Sequence, residues 1–146
     1  MALSQATCSV FKLALLNAVH LTSHTYKIAL FKATASIVGT HGAGTTSYTD
    51  MGADEIPNGS GYTTGGATLS GRVAALISGT GVLDWADPTW PASTITSRGA
   101  LIYNDSLAGK DALFVLDFGA DITSTNDVFS VDFPSQGAGT SLFRLP

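Results

Sequence analysis

Apolar residues near the start of the chain recur at helical spacing. Phe11 and Leu15 lie four positions apart, and Ala18 or Val19 follows three or four positions later. Residues at these intervals share one face of an α-helix. The pattern therefore predicts one short helix within Val10–Val19.

After this segment the pattern changes to short apolar runs, and from Thr34 onward glycine and threonine separate them at intervals of about ten residues. This pattern predicts a mainly β fold, a sandwich or barrel, after one short N-terminal helix. We expect a single domain over residues 1–146, with an N-terminal arm and helix in 1–24 and the sandwich in 25–146. About nine strands are expected: Tyr26–Phe31, Gly61–Leu69, Arg72–Ile77, Val82–Trp85, Ser93–Thr96, Ala100–Asn104, Leu113–Phe118, Val128–Phe133 and Ser141–Leu145.

Strict alternation near the end of the chain separates two faces of one strand. Phe129, Val131 and Phe133 share one face, while Ser130 and Asp132 lie on the other. We therefore expect the face of Phe129 to be the core face.

Two further segments depart from simple alternation. Ala112–Leu116 is apolar on both faces, which is typical either of a central strand covered on both sides or of a subunit contact. The stretch Ser36–Ser60 is the longest candidate loop. Loops of this length in a compact domain usually serve in binding or interaction, or are disordered.

The charge balance narrows the classes of partner. Charged residues make up only 12% of the chain, and the net charge is −4 with no cluster of Lys or Arg. Nucleic-acid binding needs such a cluster to neutralise phosphates, so we do not expect it. The longest apolar stretch, Val10–Val19, is too short to span a membrane, and no membrane partner or secretion signal is expected. The single cysteine, Cys8, indicates synthesis in a reducing cytosol.

Candidate chemistry is sparse. His20 and His24 would share a helical face and in principle bind a metal, but Leu21–Ser23 breaks the helical pattern and no third ligand is evident nearby. Cys8 has no identifiable partner and is interpreted as a buried small residue. We predict no catalytic residues, no metal and no cofactor.

Two carboxylates and two indole rings lie close together in the sequence. Asp84 and Asp87 flank Trp85, and Trp90 follows, a combination found in sugar sites. The Asp-Pro and Trp-Pro steps mark turns, however, so a structural role for both tryptophans, in a core or an interface, is favoured.

Five segments, taken in order, cover most of the chain: FKLALLNAVH at 11–20, TYKIALF at 25–31, GYTTGG at 61–66, ITSRGALIYN at 95–104 and VLDFG at 115–119. Together they resemble small structural proteins of tailed bacteriophages. For a chain of this size, the resemblance implies a capsid decoration, or cement, protein with a β-sandwich or jelly-roll fold that binds the outer lattice of the major capsid protein. It carries over no catalytic residues.

The resemblance thus leads to a non-enzymatic virion protein that is made in the host cytoplasm and located on the capsid surface. We expect it to form a homo-oligomer (a dimer or trimer) and to bind the major capsid protein. The alternative is a tail or fibre module that binds host-surface carbohydrate through Trp85, Trp90 and nearby Tyr62 or Tyr103. A small hydrolase using Asp84 and Asp87 is a third possibility. Residues expected to contact a partner are Phe11, Leu15, Val19, Tyr48, Ile56, Trp85 and Trp90, chosen from 11–20, the loop 37–57 and the turn 85–90.

Overall fold

Residues 2–146 are described in a computed structural model, and over these residues the chain forms one α-helix, two 3₁₀ segments and ten strands. The helix is α1 (Ser9–Leu16), and the 3₁₀ segments are Thr34–Ser36 and Tyr48–Asp54. The strands are β1 (Ala2–Leu3), β2 (Ala6–Thr7), β3 (Tyr26–Phe31), β4 (Thr40–His41), β5 (Ala67–Thr68), β6 (Val73–Ile77), β7 (Thr80–Asp84), β8 (Thr89–Asn104), β9 (Ala112–Ser130) and β10 (Phe143–Leu145).

The largest sheet has five strands in the order β2-β9-β8-β3-β5, all paired antiparallel. Its centre is the long pair β8 and β9, which runs from Thr89 opposite Ser130 to Tyr103 opposite Ala112. A second sheet, in the order β10-β7-β6, has three antiparallel strands. The two-residue strands β1 and β4 pair in parallel.

The main core lies between the five-stranded sheet, the three-stranded sheet and α1. It joins side chains from β3, β8 and β9 to Phe11 of α1 and Leu83 of β7, and the partly buried Phe143 of β10 packs against it. This arrangement confirms the predicted mainly β, sandwich-like class. The short N-terminal helix is confirmed as well.

The opposite face of the five-stranded sheet is also buried. Ala29 and Phe31 of β3 point to this side, where Ile37 and Met51 from the long segment between β3 and β5 pack against them. The segment 36–60 is therefore a structured cover with its own apolar anchors. It contains β4 and a 3₁₀ segment.

The helix is shorter than its apolar spacing allows. It ends at Leu16, and Ala18 adopts a left-handed backbone conformation with φ 51°. The N–H of Val19 donates to the carbonyl of Ala14 at 3.0 Å, and the N–H of Ala18 donates to Leu15 at 3.2 Å. These two bonds form a Schellman motif, which stops the helix before Val19.

The predicted alternation in β9 is confirmed. Phe129 and Val131 are buried and Phe133 is partly buried, whereas Ser130 and Asp132 are exposed. Residues 112–115 are buried on both faces, and β9 lies between β2 and β8. Of the two readings of this segment, the central strand is confirmed.

Several strand boundaries differ from the prediction. The separate strands predicted at 93–96 and 100–104 are one strand, β8. The strand predicted at 113–118 and the first half of the one predicted at 128–133 lie in a single strand, β9, which ends at Ser130. The polar residues between the predicted strands remain paired because β8 and β9 bulge there. The bulges appear as register shifts, one of them between Ser97 and Gly99. Only 67–68 of the predicted strand Gly61–Leu69 is extended in a ladder.

Candidate functional site

Four of the predicted contact residues belong to the core, which corrects the sequence-based choice. Phe11 is fully buried and packs edge-on against Phe114, with ring centroids 5.0 Å apart. Ile56, Trp85 and Trp90 are buried in the same cluster. Their buried side chains are not available to a partner. Loop length and aromatic content, on which the choice rests, do not distinguish a core contact from an external one.

The other three predicted contact residues are partly exposed. Leu15 packs against the edge of the core. Val19 lies in the turn that ends α1. Tyr48 stacks on Tyr103 with ring centroids 4.6 Å apart, so most of its ring serves the fold.

The aromatic residues suggested for carbohydrate stacking are also internal. Tyr62, Trp85, Trp90 and Tyr103 expose 5% of their surface or less. A sugar ring stacks on an accessible aromatic face, and none of these four presents one. This set of residues is therefore wrong as a glycan site.

The two carboxylates suggested for hydrolysis accept main-chain hydrogen bonds. Asp84 is buried, accepts the N–H of Trp85 at 3.0 Å, and has a pKa raised by burial. Asp87 accepts the N–H of Phe133 at 2.8 Å. Both groups hold turns of the chain in place.

Two of the three histidines converge on one buried amide. Nδ2 of Asn104 lies 3.0 Å from Nδ1 of His20 and 2.9 Å from Nδ1 of His24. An amide nitrogen only donates, so both Nδ1 atoms accept and each neutral ring carries its proton on Nε2. Burial lowers the pKa of His20. The pair comes together through the loop after α1, not on the continuous helical face considered from the sequence.

A second polar cluster fastens the segment 36–60 to the sheet. Glu55 accepts hydrogen bonds from the hydroxyls of Tyr48 and Tyr62 and from the N–H of Gly65, each at 2.7 Å. The hydroxyl of Tyr62 in turn accepts the N–H of Leu30 in β3 at 3.0 Å. Burial, followed by the bond to the Glu55 carboxylate, raises the pKa of Tyr62 far above its usual value.

Cys8 is buried, as predicted, and caps the start of α1 through its backbone. Burial, with a smaller effect from Asp50, raises the pKa of its thiol to about 11. Thiolates are the reactive form of cysteine. This residue is therefore held in its unreactive form at neutral pH.

Two of the accessible features are apolar, and the first is one face of α1. Leu13 exposes 62% of its surface and Leu16 exposes 85%, while Phe11 and Ala14 anchor the opposite side of the helix in the core. Exposed apolar residues are common singly, but two on one short helix leave that face without a partner in the monomer.

A second accessible feature is an apolar groove of about 230 Å³ between α1 and the three-stranded sheet. Leu15 lines it from the helix side. Arg72 also lines it, and on the sheet side the lining includes Ala74, Gly81, Leu83, Phe143 and Leu145. The strand register places these five sheet residues on one apolar face together with Leu76. Leu83 and Phe143 contribute to the core, whereas Leu76 is 76% exposed.

The sequence analysis did not select Leu13, Leu16 or Leu76. For Leu76, however, the residues of β6 do indicate exposed apolar surface. Residues 73–77 are five consecutive uncharged apolar residues followed by Ser78–Gly79. An apolar run on both faces next to a tight turn indicates a hairpin strand with apolar surface to cover.

Within residues 2–146, no group of three or more His, Cys, Asp or Glu side chains is arranged to hold a metal ion. No helix in that part of the chain is long and apolar enough to cross a membrane.

The chain was compared with known proteins at three levels. No protein family, no curated protein and no solved structure matches it.

Proposed function

We propose that this chain is a non-enzymatic structural protein of a tailed-bacteriophage virion, of the capsid decoration type. In this role it binds the outer surface of the major capsid protein lattice and stabilises the head. The observation that carries the proposal is the exposed apolar face of α1, formed by Leu13 and Leu16. The sequence resemblance described above supplies the identity of the partner.

A decoration protein has to bury apolar surface on its partner while remaining rigid itself. The helix suits this role because Phe11 and Ala14 fix its orientation on the sheet, leaving Leu13 and Leu16 pointing outward. A helix whose backbone is already fixed in the free protein loses little backbone entropy on binding. Many copies on a lattice also tolerate a weak individual contact when the copies are linked to one another.

The low charge of the chain fits the same role. Only 18 of its 146 residues are Lys, Arg, Asp or Glu, 7 basic and 11 acidic. The core of a protein–protein interface is depleted in charged residues. When an uncharged helix face with few charges around it docks on a partner, few charged groups lose their contact with water.

The first test is the number of copies per purified particle, measured by quantitative mass spectrometry against the major capsid protein. We expect near-stoichiometric abundance. A handful of copies per particle would favour a location in the tail or a fibre instead. Absence of the protein from the particle would refute the proposal.

The second test is co-sedimentation of purified protein with capsids that lack it. Replacing both exposed leucines, in the variant L13K/L16K, should abolish binding and leave the melting temperature nearly unchanged, because neither side chain is part of the core. The matched control is Val128→Lys, which places a charge at another exposed apolar position, 54% accessible, on β9. Binding that survives in L13K/L16K would show that the helix face is not the contact.

A further inference from the structure

We propose that two copies of this chain associate through strand β6, which pairs antiparallel with β6 of the second copy. The two three-stranded sheets then become one six-stranded sheet in the order β10-β7-β6-β6-β7-β10. This inference goes beyond the proposed function and does not depend on it.

The turn between β6 and β7 sets the direction in which the peptide groups of β6 point. Ser78 and Gly79 both have positive φ angles, 48° and 83°. Ile77 lies opposite Thr80, so the connection is a two-residue turn. Residues that flank such a turn form a hydrogen-bonded pair, and the pairs of an antiparallel ladder then alternate along the strand.

This alternation leaves two residues of β6 with peptide groups that face away from β7. Ile77, Ala75 and Val73 bond to β7, whereas the N–H and C=O groups of Ala74 and Leu76 point to the outer edge. Nothing within residues 2–146 pairs with that edge, since β6 is the last strand of its sheet. The edge therefore presents two N–H and two C=O groups ready for another strand.

The other sheet edges in the described part of the chain are protected. Strands β1 and β4 have two residues each, and the length of β8 that β3 does not pair carries Pro91, Arg98 and a positive φ at Ala92. Strands β2 and β5, at the edges of the large sheet, have two residues each, and β10 has three with Arg144 in its centre. The free length of β9 carries Asp121 and Asp127 and a positive φ at Asn126. Short strands, charges and bulges are the devices that keep edges from pairing. Strand β6 has five residues and none of these devices.

A second copy is the occupant that the charge pattern favours. The chain carries a net charge of −4, so two copies repel over most of their surfaces. Val73–Ile77 contains no charge, so charge repulsion does not oppose self-association at this strand. A strand that pairs antiparallel with its own copy also satisfies both sets of edge groups through one two-fold axis.

Full overlap of the two strands places the axis at Ala75. Ala74 then lies opposite the partner's Leu76, and Leu76 lies opposite the partner's Ala74, which makes four main-chain hydrogen bonds by the ladder pattern. Ala75 faces the partner's Ala75 in a non-hydrogen-bonded pair, where the strands are closest and a small side chain fits. The apolar face becomes continuous across the axis and covers Leu76, which is 76% exposed in the monomer.

A five-residue strand pair is smaller than a standard interface, which buries about 1,600 Å² in total. The dimer therefore forms in a concentration-dependent equilibrium, and a covalent trap is the sharpest test. Cα atoms of a non-hydrogen-bonded pair are about 4.5 Å apart, within the range of a disulfide. The only native cysteine, Cys8, is buried and does not compete.

The experiment is oxidation of the full-length Ala75→Cys variant with oxidised glutathione, followed by non-reducing electrophoresis. We expect a covalent dimer of twice 15.0 kDa. The control is Leu76→Cys, whose own copy lies diagonally across the axis and out of disulfide range, so it should stay monomeric. Equal cross-linking of the two variants, or none in Ala75→Cys, would overturn the proposed register.

A second experiment uses the two-fold axis itself. Ala75→Glu and Ala75→Lys each place like charges directly opposite one another, and each variant alone should sediment as a monomer at concentrations where the native chain dimerises. An equimolar mixture should restore the dimer, because Glu then faces Lys. A native chain that remains monomeric at every concentration, or a mixture that fails to dimerise, contradicts the proposal.

Discussion

The imidazole of His41 and the carboxylate of Asp54 lie 2.7 Å apart, Nε2 to Oδ2, and both side chains are buried. The same carboxylate accepts the N–H groups of Val38 and Gly39, each at 2.8 Å. Burial disfavours its charge, but the bonds from His41 and the two N–H groups outweigh that effect and hold the pKa of Asp54 below its usual value. One carboxylate thus fastens 38–41 to the end of the 3₁₀ segment.

Asp54→Asn should destabilise the protein by about 3 kcal/mol, because an amide has one acceptor oxygen and leaves buried donors without a partner. Urea unfolding measures the free energy of unfolding. The control is Asp132→Asn, at an exposed position, which should change that free energy by no more than about 0.5 kcal/mol. The lowered pKa contributes stability that is present above the unfolded value of 3.8 and is lost as pH falls through the folded-state pKa. The difference between native chain and variant should therefore shrink in strong acid.

Tyr62→Phe should cost more stability than Tyr48→Phe. The hydroxyl of Tyr62 makes two bonds: it donates to Glu55 and accepts the N–H of Leu30. The hydroxyl of Tyr48, which is partly exposed, makes one bond, to Glu55. Losing two bonds, of which the one from Leu30 is buried, is expected to cost about 2–3 kcal/mol, and losing the single part-buried bond of Tyr48 about 1 kcal/mol. Equal losses in thermal unfolding would show that the Leu30 bond contributes nothing.

The stability of the native chain should fall when pH is lowered from above 6.5. Burial lowers the pKa of His20 in the folded protein, so below 6.5 the unfolded chain binds the proton more readily. The contribution is present in full above 6.5 and declines until pH reaches the folded-state pKa. His20→Gln should remove this part of the pH dependence, measured as the difference between urea midpoints at two pH values. An NMR titration that places His20 above 6.5 would contradict the prediction.

Ala18→Gly should stabilise the protein by about 1 kcal/mol. Ala18 occupies the left-handed position of the Schellman motif after α1, with φ 51°, where an L residue with a Cβ is strained and glycine is not. The control is Ala120→Gly in β9, where glycine in a strand should destabilise by about 0.5–1 kcal/mol. Thermal unfolding of the two variants should move in opposite directions.

The sequence by itself determines which residues share a face and where the chain extends. Tyr26–Phe31 coincides with β3 because a run with the β-forming residues Tyr, Ile and Phe is bounded by polar residues, which is a local property. The buried face of β9 around Phe129 follows from alternation alone. The helix near Phe11 and the mainly β class were predictable for the same reason.

Only the tertiary structure decided which of those faces meets the core and which remains open. Trp85 and Trp90 fill the interior, the core role that the sequence left open beside an interface role, because residues remote in the sequence close over them. Asn104 meets His20 from 84 positions away along the chain. Leu76 is left exposed because β6 ends its sheet. Periodicity is local, whereas burial depends on the packing of distant segments, and for this reason the candidate surfaces emerged only from the fold.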